Sequence, residues 1–332
     1  MNLFHLFLRA GVLLGLLSLT AACNAADKPR IPMNNNDDPI THHIGRFMIE
    51  VPQSMKVAHR SASLRFRELQ EIRVTGSENR TAAYEEIWKQ RLGEIQKIKP
   101  PAGKEQVVID TRVLDQDNSW TRAVAYYGNT DIPKMAYWDV LNLNGNHGLW
   151  VRWKGKEGKL DPMLNVSLDI ARAYHPIYPA TLLPKENVFY LEHGFIALPY
   201  VSQEEAYARF EGHPLELKLR VETTEIHKDE APDTGLIART AAAIASGFAS
   251  GVEIKKIRSE KRKLAGLDGE EEVVSATAQG KTQLDFGWRF AGRKESGEYP
   301  KIRIRMETPD GQLDEKLKLW DALLNSFKPV GQ

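Results

Sequence analysis

His43-Ile44-Gly45-Arg46-Phe47-Met48-Ile49-Glu50-Val51-Pro52 alternates apolar with polar side chains, is rich in strand-forming residues and closes on proline. It reads as a short strand. The phrase returns as Leu191-Glu192-His193-Gly194-Phe195-Ile196-Ala197-Leu198-Pro199, with histidine, glycine, phenylalanine and isoleucine in the same order before the proline. The elements downstream of each copy repeat as well. After the first come a strand pair near 61–74 and a helix on which Ala83, Ile87, Trp88, Leu92 and Ile98 form an apolar stripe, stopped by Pro100-Pro101. Strands are predicted over 107–114, 120–127, 135–143 and 149–154, with Asn144-Gly145 as a hairpin turn, then a helix over 163–174. After the second copy the pattern predicts a strand over 215–225, an alanine-rich helix over 234–246 ended by Gly247, strands over 254–264, 269–279, 283–292 and 301–308, and a helix over 313–326.

Each half thus reads strand, strand, helix, four strands, helix. The expected fold class is α+β: two similar lobes from an internal duplication, each a mainly antiparallel sheet with helices packed on one face. The lobes are expected over 41–180 and 185–330, with the proline-rich join around Pro179 and Pro184 as a spacer. Trp120, Trp138, Trp150, Trp153, Trp288 and Trp320 are read as core. Trp150-Val151-Arg152-Trp153 places an aromatic on both faces of one strand, which leaves one of the two available for a partner.

Outward from the lobes, the first residues carry an address. Arg9 precedes the apolar run Ala10–Leu19, and Thr20-Ala21-Ala22-Cys23 is a small-residue cleavage zone. This is the grammar of a secretory signal over 1–22. The apolar run is well short of the roughly 20 residues that span a bilayer. Leu19-Thr20-Ala21-Ala22-Cys23 resembles a bacterial lipobox, with Thr20 where leucine is usual, so Cys23 is the expected lipidation site. Asn24 after it points to the outer membrane. The alternative is cleavage after Ala22, Ala25 or Ala26, which releases a soluble periplasmic protein. Residues 23–40, with Asn34-Asn35-Asn36-Asp37-Asp38, read as the lipidated cysteine and a disordered tether.

Cys23 is the only cysteine, so an acylated chain has no thiol left for a disulfide or a metal. Lys and Arg total 45 against 44 Asp and Glu, and loss of Arg9 with the signal leaves 44 against 44. A neutral chain lacks the basic field of a nucleic-acid binder.

Catalytic patterns are not found. Gly247-Phe248-Ala249-Ser250-Gly251 has the wrong spacing for a hydrolase elbow and reads as a helix terminus, and Ser259-Glu260-Lys261 is not a Ser-x-x-Lys nucleophile. His42, His43, His147, His175, His193, His213 and His227 are scattered without metal-ligand spacing, so no metal or cofactor is expected. Gly266-Leu267-Asp268-Gly269 is no phosphate cradle. Glu270-Glu271-Glu272 reads as a solvated strand start or as an acidic patch for a basic partner. The cationic stretch from Lys255 to Lys263 before it suggests charge-complementary docking.

The phrase at His43–Pro52, its recurrence at Phe189–Phe195, the block Lys263-Leu264-Ala265-Gly266-Leu267-Asp268-Gly269-Glu270-Glu271 and Phe286-Gly287-Trp288 together carry a resemblance. Over 41–330 the chain resembles the two-domain immunity proteins that guard against type VI secretion lipase effectors, the fourth lipase class in particular. His42-His43 is a departure, since the family is associated with a cysteine near that strand. The resemblance implies a periplasmic antitoxin without enzymatic activity that binds a phospholipase of α/β-hydrolase fold and grips its lid region between two lobes. From the residues alone, a structural or trafficking envelope lipoprotein remains the alternative.

Overall fold

The computed structural model describes residues 37–331 except 76–78, 117–118, 129–131, 133, 179–182, 185–187, 201 and 228–233, with backbone alone over 247–250. The signal, Cys23 and the tether up to residue 36 lie outside the described residues, as does most of the proline-rich join. The expected tether ends sooner than residue 40: a strand begins at Pro39, and Asp37 Oδ1 accepts a hydrogen bond from the Ser54 amide at 2.8 Å.

The first half contains β1 (Pro39–Ile44), β2 (Phe47–Pro52), β3 (Lys56–Leu64), β4 (Arg67–Arg73), α1 (Arg80–Gln96), β5 (Val108–Val113), β6 (Trp120–Tyr127), β7 (Met135–Asn144), β8 (His147–Lys156), α2 (Leu160–Arg172) and β9 (Tyr174–Pro176). The second contains β10 (Phe189–Tyr190), β11 (Gly194–Ile196), β12 (Glu204–Glu211), β13 (Lys218–Thr224), α3 (Leu236–Ser250), β14 (Val252–Leu264), β15 (Leu267–Ala278), β16 (Lys281–Phe290), β17 (Lys301–Pro309), α4 (Leu313–Ser326) and β18 (Lys328–Pro329). The fold is α+β and mainly antiparallel. α3 runs past Gly247 to Ser250, because a glycine inside an alanine-rich helix costs only about 1 kcal/mol. Gly251, at φ +72°, adopts the left-handed conformation that ends it.

From the midline outward the strand order is β3-β4-β8-β7-β6-β5 in one half and β12-β13-β17-β16-β15-β14 in the other. The order is the same in both. The two sheets are not separate, however. β3 and β12 pair antiparallel from Leu64↔Glu204 to Lys56↔Glu211 and join them into one twelve-stranded sheet, so residues 37–332 form one compact unit.

Side-chain alternation gives this sheet two faces. On the first, Trp138, Val140, Val151, Val221, Phe286, Trp288 and Ile304 are all fully buried. α2 and α4 pack there with the β1–β2 and β10–β11 hairpins. Trp320 of α4 lies 5.8 Å from the Phe286 ring, and Trp138 Nε1 donates to Leu160 O at 2.8 Å. The second face carries α1 and α3 at its two ends, so helices cover both faces rather than the one expected. The physical reason is visible in β6, where Trp120, Val124 and Tyr126 make its second side apolar too. α1 covers them with Tyr84 and Trp88, and Trp88 packs on Trp120 and Trp150 at 6.4 and 6.0 Å. Trp150 is thereby held under α1 and Trp153 is buried on the opposite face, so neither is presented to a partner.

The repeated phrases meet each other at the midline. Gly45 N donates to Tyr190 O at 3.2 Å and Tyr190 N to Gly45 O at 2.9 Å. Gly45 has φ +60°, and a Cβ there would lie 3.0 Å from Ala206 Cβ, so this turn requires glycine. Each hairpin is completed by the tail of the other half: β18 adds to β2, and β9 adds to β11. The β1–β2 hairpin is fixed to the second half. Phe47 stacks on Phe327 at 5.2 Å, Arg46 Nε donates to Glu204 at 2.7 Å, and the Glu50 amide donates to Ser326 Oγ at 2.9 Å. Conversely, Glu71 of β4 accepts from the amides of Glu192 and His193 in the second hairpin at 2.8 and 2.9 Å.

Candidate partner-binding surface

Between α1 and α3 the second face of the sheet is open over β4, β3, β12 and β13, bounded by β8, where Trp150 lies under α1, and by β17, where Arg303 and Arg305 share a pocket with α3. Alternation points Gln70, Ser61, Tyr207, Arg209, Arg220, Glu222, Arg303, Arg305 and Glu307 outward, all half-buried or exposed, while their strand neighbours on the other face are mostly buried. Charges of both signs interleave across the strands. Arg305 Nε donates to Asp285 at 2.9 Å, Arg220 pairs with Glu307 at 3.3 Å, and Arg303 pairs with Glu222 at 3.3 Å. In the first half the equivalent place is taken by buried Asp139, bonded to Arg152 Nε at 2.8 Å and to Arg91 of α1 at 2.7 Å. Such a surface offers oriented, partly screened charge to a macromolecular partner.

The acidic run read from the sequence is spent internally, together with Arg258 and Arg262 of the cationic stretch, whereas Lys255, Lys256, Lys261 and Lys263 stay exposed. Glu271 is fully buried and accepts from Arg258, Arg262 and Trp320 Nε1, each at 2.9 Å. Glu270 caps α3 by accepting from the Ile237 amide at 3.0 Å, and Glu272 is buried against Ser259. Neither a solvated strand start nor an acidic docking patch describes them. The alternation of sign placed opposite charges on adjacent strands β14 and β15, where they satisfy each other and Asp321 of α4. Burial pushes the Asp321 carboxyl up, but the hydrogen bonds from Arg258 and Arg262 outweigh it and hold it below the usual range.

The histidines do not converge. Among the described residues no group of three His, Cys, Asp or Glu side chains is arranged to hold a metal ion. His42 and His43 instead flank Arg60, whose guanidinium lies 3.1 Å from His42 Nδ1 and donates to His43 O at 2.8 Å, and the His43 ring stacks on Tyr190 at 4.3 Å. Burial, then the charge of Arg60 and of His43, pushes His42 from 6.5 down to about 4. Burial and Arg60 lower His43, and burial lowers His147 and His213, the latter against the pull of Asp37.

Above the ordinary histidine value both folded and unfolded chains are neutral at these rings. As pH falls below 6.5 the unfolded chain binds protons that folded His42 refuses until about pH 4. Stability is therefore full above neutrality and falls as pH drops through this window. Urea midpoints should be flat above neutral pH and decline between about pH 6.5 and 5, above the carboxylate range. The decline should be shallower in His42→Gln. A midpoint independent of pH across that interval would contradict the burial of these rings.

The likeness of this fold to known proteins is specific. Residues 182–329 match the family described as Tle cognate immunity protein 4 C-terminal domain. The fold matches an apo structure of the immunity protein TplEi of the T6SS from Pseudomonas aeruginosa at 17% identity, over 89% of this chain and 98% of that one, with a TM-score of 0.71. A structure of TplEi complexed with an "L" peptide matches at 18% identity, over 89% and 99% of the chains, with a TM-score of 0.66. A chain of the crystal structure of the Tle4–Tli4 complex matches at 18% identity, over 89% and 98%, with a TM-score of 0.71. No curated protein sequence matches the chain. Residues 182–329, most of the second half, are thus similar in sequence to the Tle cognate immunity protein 4 C-terminal domain, and the whole described fold is similar to that of the solved immunity proteins.

Proposed function

We propose that this protein is an immunity protein that binds and inhibits a type VI secretion phospholipase effector of α/β-hydrolase type in the periplasm. The observation that carries the reading is the family match over 182–329. The shared fold over 89% of the chain supports it, as do the solved complexes of one such fold with an effector and of another with a peptide. The two halves grip the lid region of the effector between them and deny lipid access to its serine. The equal strand order of the halves supports reading them as the products of an internal duplication. Inhibition of a delivered toxin requires tight binding, with Kd of roughly nanomolar or below across about 1,600 Å².

Lipidation of Cys23, with anchoring at the outer membrane, belongs to the same reading, because an antitoxin must stand where the toxin arrives. Cells that express a lipase from the adjacent reading frame in the periplasm should survive when this protein is present and lyse when it is not. The purified lipase should lose phospholipid hydrolysis at an equimolar ratio. Fractionation of the same cells should place the wild type in the membrane and Cys23→Ala in the soluble fraction. Equal killing in both strains with undiminished hydrolysis would leave a structural or trafficking lipoprotein as the better description.

A further inference from the structure

The halves share a strand order but differ at one hairpin. β12 and β13 pair over six residues, from Glu205↔Thr224 to Phe210↔Leu219. Their counterparts β3 and β4 pair only at Ala62↔Leu69, Ser63↔Glu68 and Leu64↔Arg67. Beyond Ala62, β3 continues along β12, while β4 continues along β8 to Arg73↔His147. The two strands therefore part, and a cavity of about 370 Å³ opens between Arg60-Ser61 on one side and Gln70-Glu71 on the other, closed beneath by Tyr190 and Leu191. Among the described residues no backbone hydrogen bond crosses it between the two strand edges. An unpaired strand edge is a template for another strand.

Arg60 lies in the wall of this slot. Two of its nitrogens are used by His42 and His43, its Nε is buried without a partner, and no carboxylate lies within ion-pair distance of it among the described residues. Glu71 across the slot is occupied by Tyr174 and by the amides of Glu192 and His193. Glu71 and Glu192 line the same slot and lie in the field of Arg60, but neither bonds its nitrogens, so the half-buried guanidinium still has room for a carboxylate in direct contact. Burial accordingly lowers its affinity for a proton, although Glu192 and Glu71 pull the other way.

We propose that the slot between β3 and β4 receives an extended segment of the bound effector as an added strand, with a carboxylate of that segment on Arg60. Main-chain bonding along two edges supplies affinity, and Arg60 supplies selectivity for an acidic side chain. The inference rests on the immunity reading for the identity of the partner. Its geometry is separate from that reading.

Amide hydrogen exchange on the full chain, alone and in complex with a lipase effector against which it protects in the survival assay, tests it. Amides over 57–61 and 70–73 that face the slot should exchange rapidly in the free protein and at least tenfold more slowly in the complex. Arg60→Gln should weaken lipase binding by about 30-fold or more, and Arg60→Lys should recover part of the loss. Should Arg60→Gln fail to fold, the exchange measurement on the wild type still decides. A complex in which the slot amides keep exchanging freely overturns the slot and leaves the immunity reading standing, whereas absence of any complex removes both. Slow exchange in the free chain that is released by deleting residues 1–36 would give the slot to the chain's own N-terminal segment. Protection that grows with protein concentration would give it to a second copy. Either result overturns the proposal.

Discussion

Chains of residues 37–178 and 188–331 produced separately will lack the near-UV circular dichroism and the cooperative unfolding transition of the whole protein. The reason is the exchange of edges between the halves. β18, at the end of the second half, completes the sheet of the first hairpin, and β9, at the end of the first half, completes that of the second. Ile44, Phe47, Ile49 and Val51 of the first hairpin are buried to 3% exposure or less, and β2 lies against α4 of the other half. Burying a side chain of that size stabilises by about 1.5–3 kcal/mol, so these four alone represent about 6–12 kcal/mol as an upper estimate. A domain's whole stability is about 5–15 kcal/mol. Removing either half therefore exposes as much as the other half has to lose. Co-expression of the two pieces should restore the native spectrum through the β3–β12 pairing. A sharp unfolding transition from either piece alone would show that the halves are independent and that the exchange is dispensable.

Substitution at Glu271 will separate the interior charge network from the ladder on the open face. Glu271 is fully buried, between Arg258 and Arg262 at 2.9 Å each, and ties β15 to α4 through Trp320. Glu271→Ala leaves two partly buried guanidinium groups with only Asp321 to balance them, and the Trp320 N–H loses its acceptor. Breaking one partner out of such a buried network costs about 3–5 kcal/mol. Glu222 on the open face meets Arg303 at 3.3 Å with side chains 35% and 42% exposed, and there solvent screens the pair. Glu222→Gln should shift stability by less than about 1 kcal/mol. Urea unfolding at neutral pH checks both. Equal shifts for the two variants would mean that the open-face ladder holds the fold together and is not simply a solvated surface.

The element pattern was legible in the chain because it is written in local terms. Trp120–Tyr127 and Leu313–Ser326 stand in the structure at the bounds their periodicity and punctuation predict. The similarity of the halves was also legible, from a phrase of ten residues and the order of the elements after each copy. β12 was not. Glu204-Glu205-Ala206-Tyr207-Ala208-Arg209-Phe210-Glu211 buries Ala206, Ala208 and Phe210, and two alanines give little hydrophobic signal beside three glutamates and an arginine. That missed strand is the one that joins the halves.

The open face and the slot depend on the same kind of information. Whether Glu271 is a patch or an interior ligand is decided by which strand lies beside it, and whether β3 and β4 stay paired beyond Ala62 is decided by what competes for their edges. By itself the sequence determined most of the elements, their recurring order and their apolar sides, since each is set by residues a few places apart. Only the tertiary structure decided that two sheets become one, that the hairpins exchange partners and that one strand pair stands open. Those outcomes depend on which backbone edges meet, for β3–β12 and β2–β18 across more than a hundred residues, and backbone hydrogen bonds are the same for every side chain.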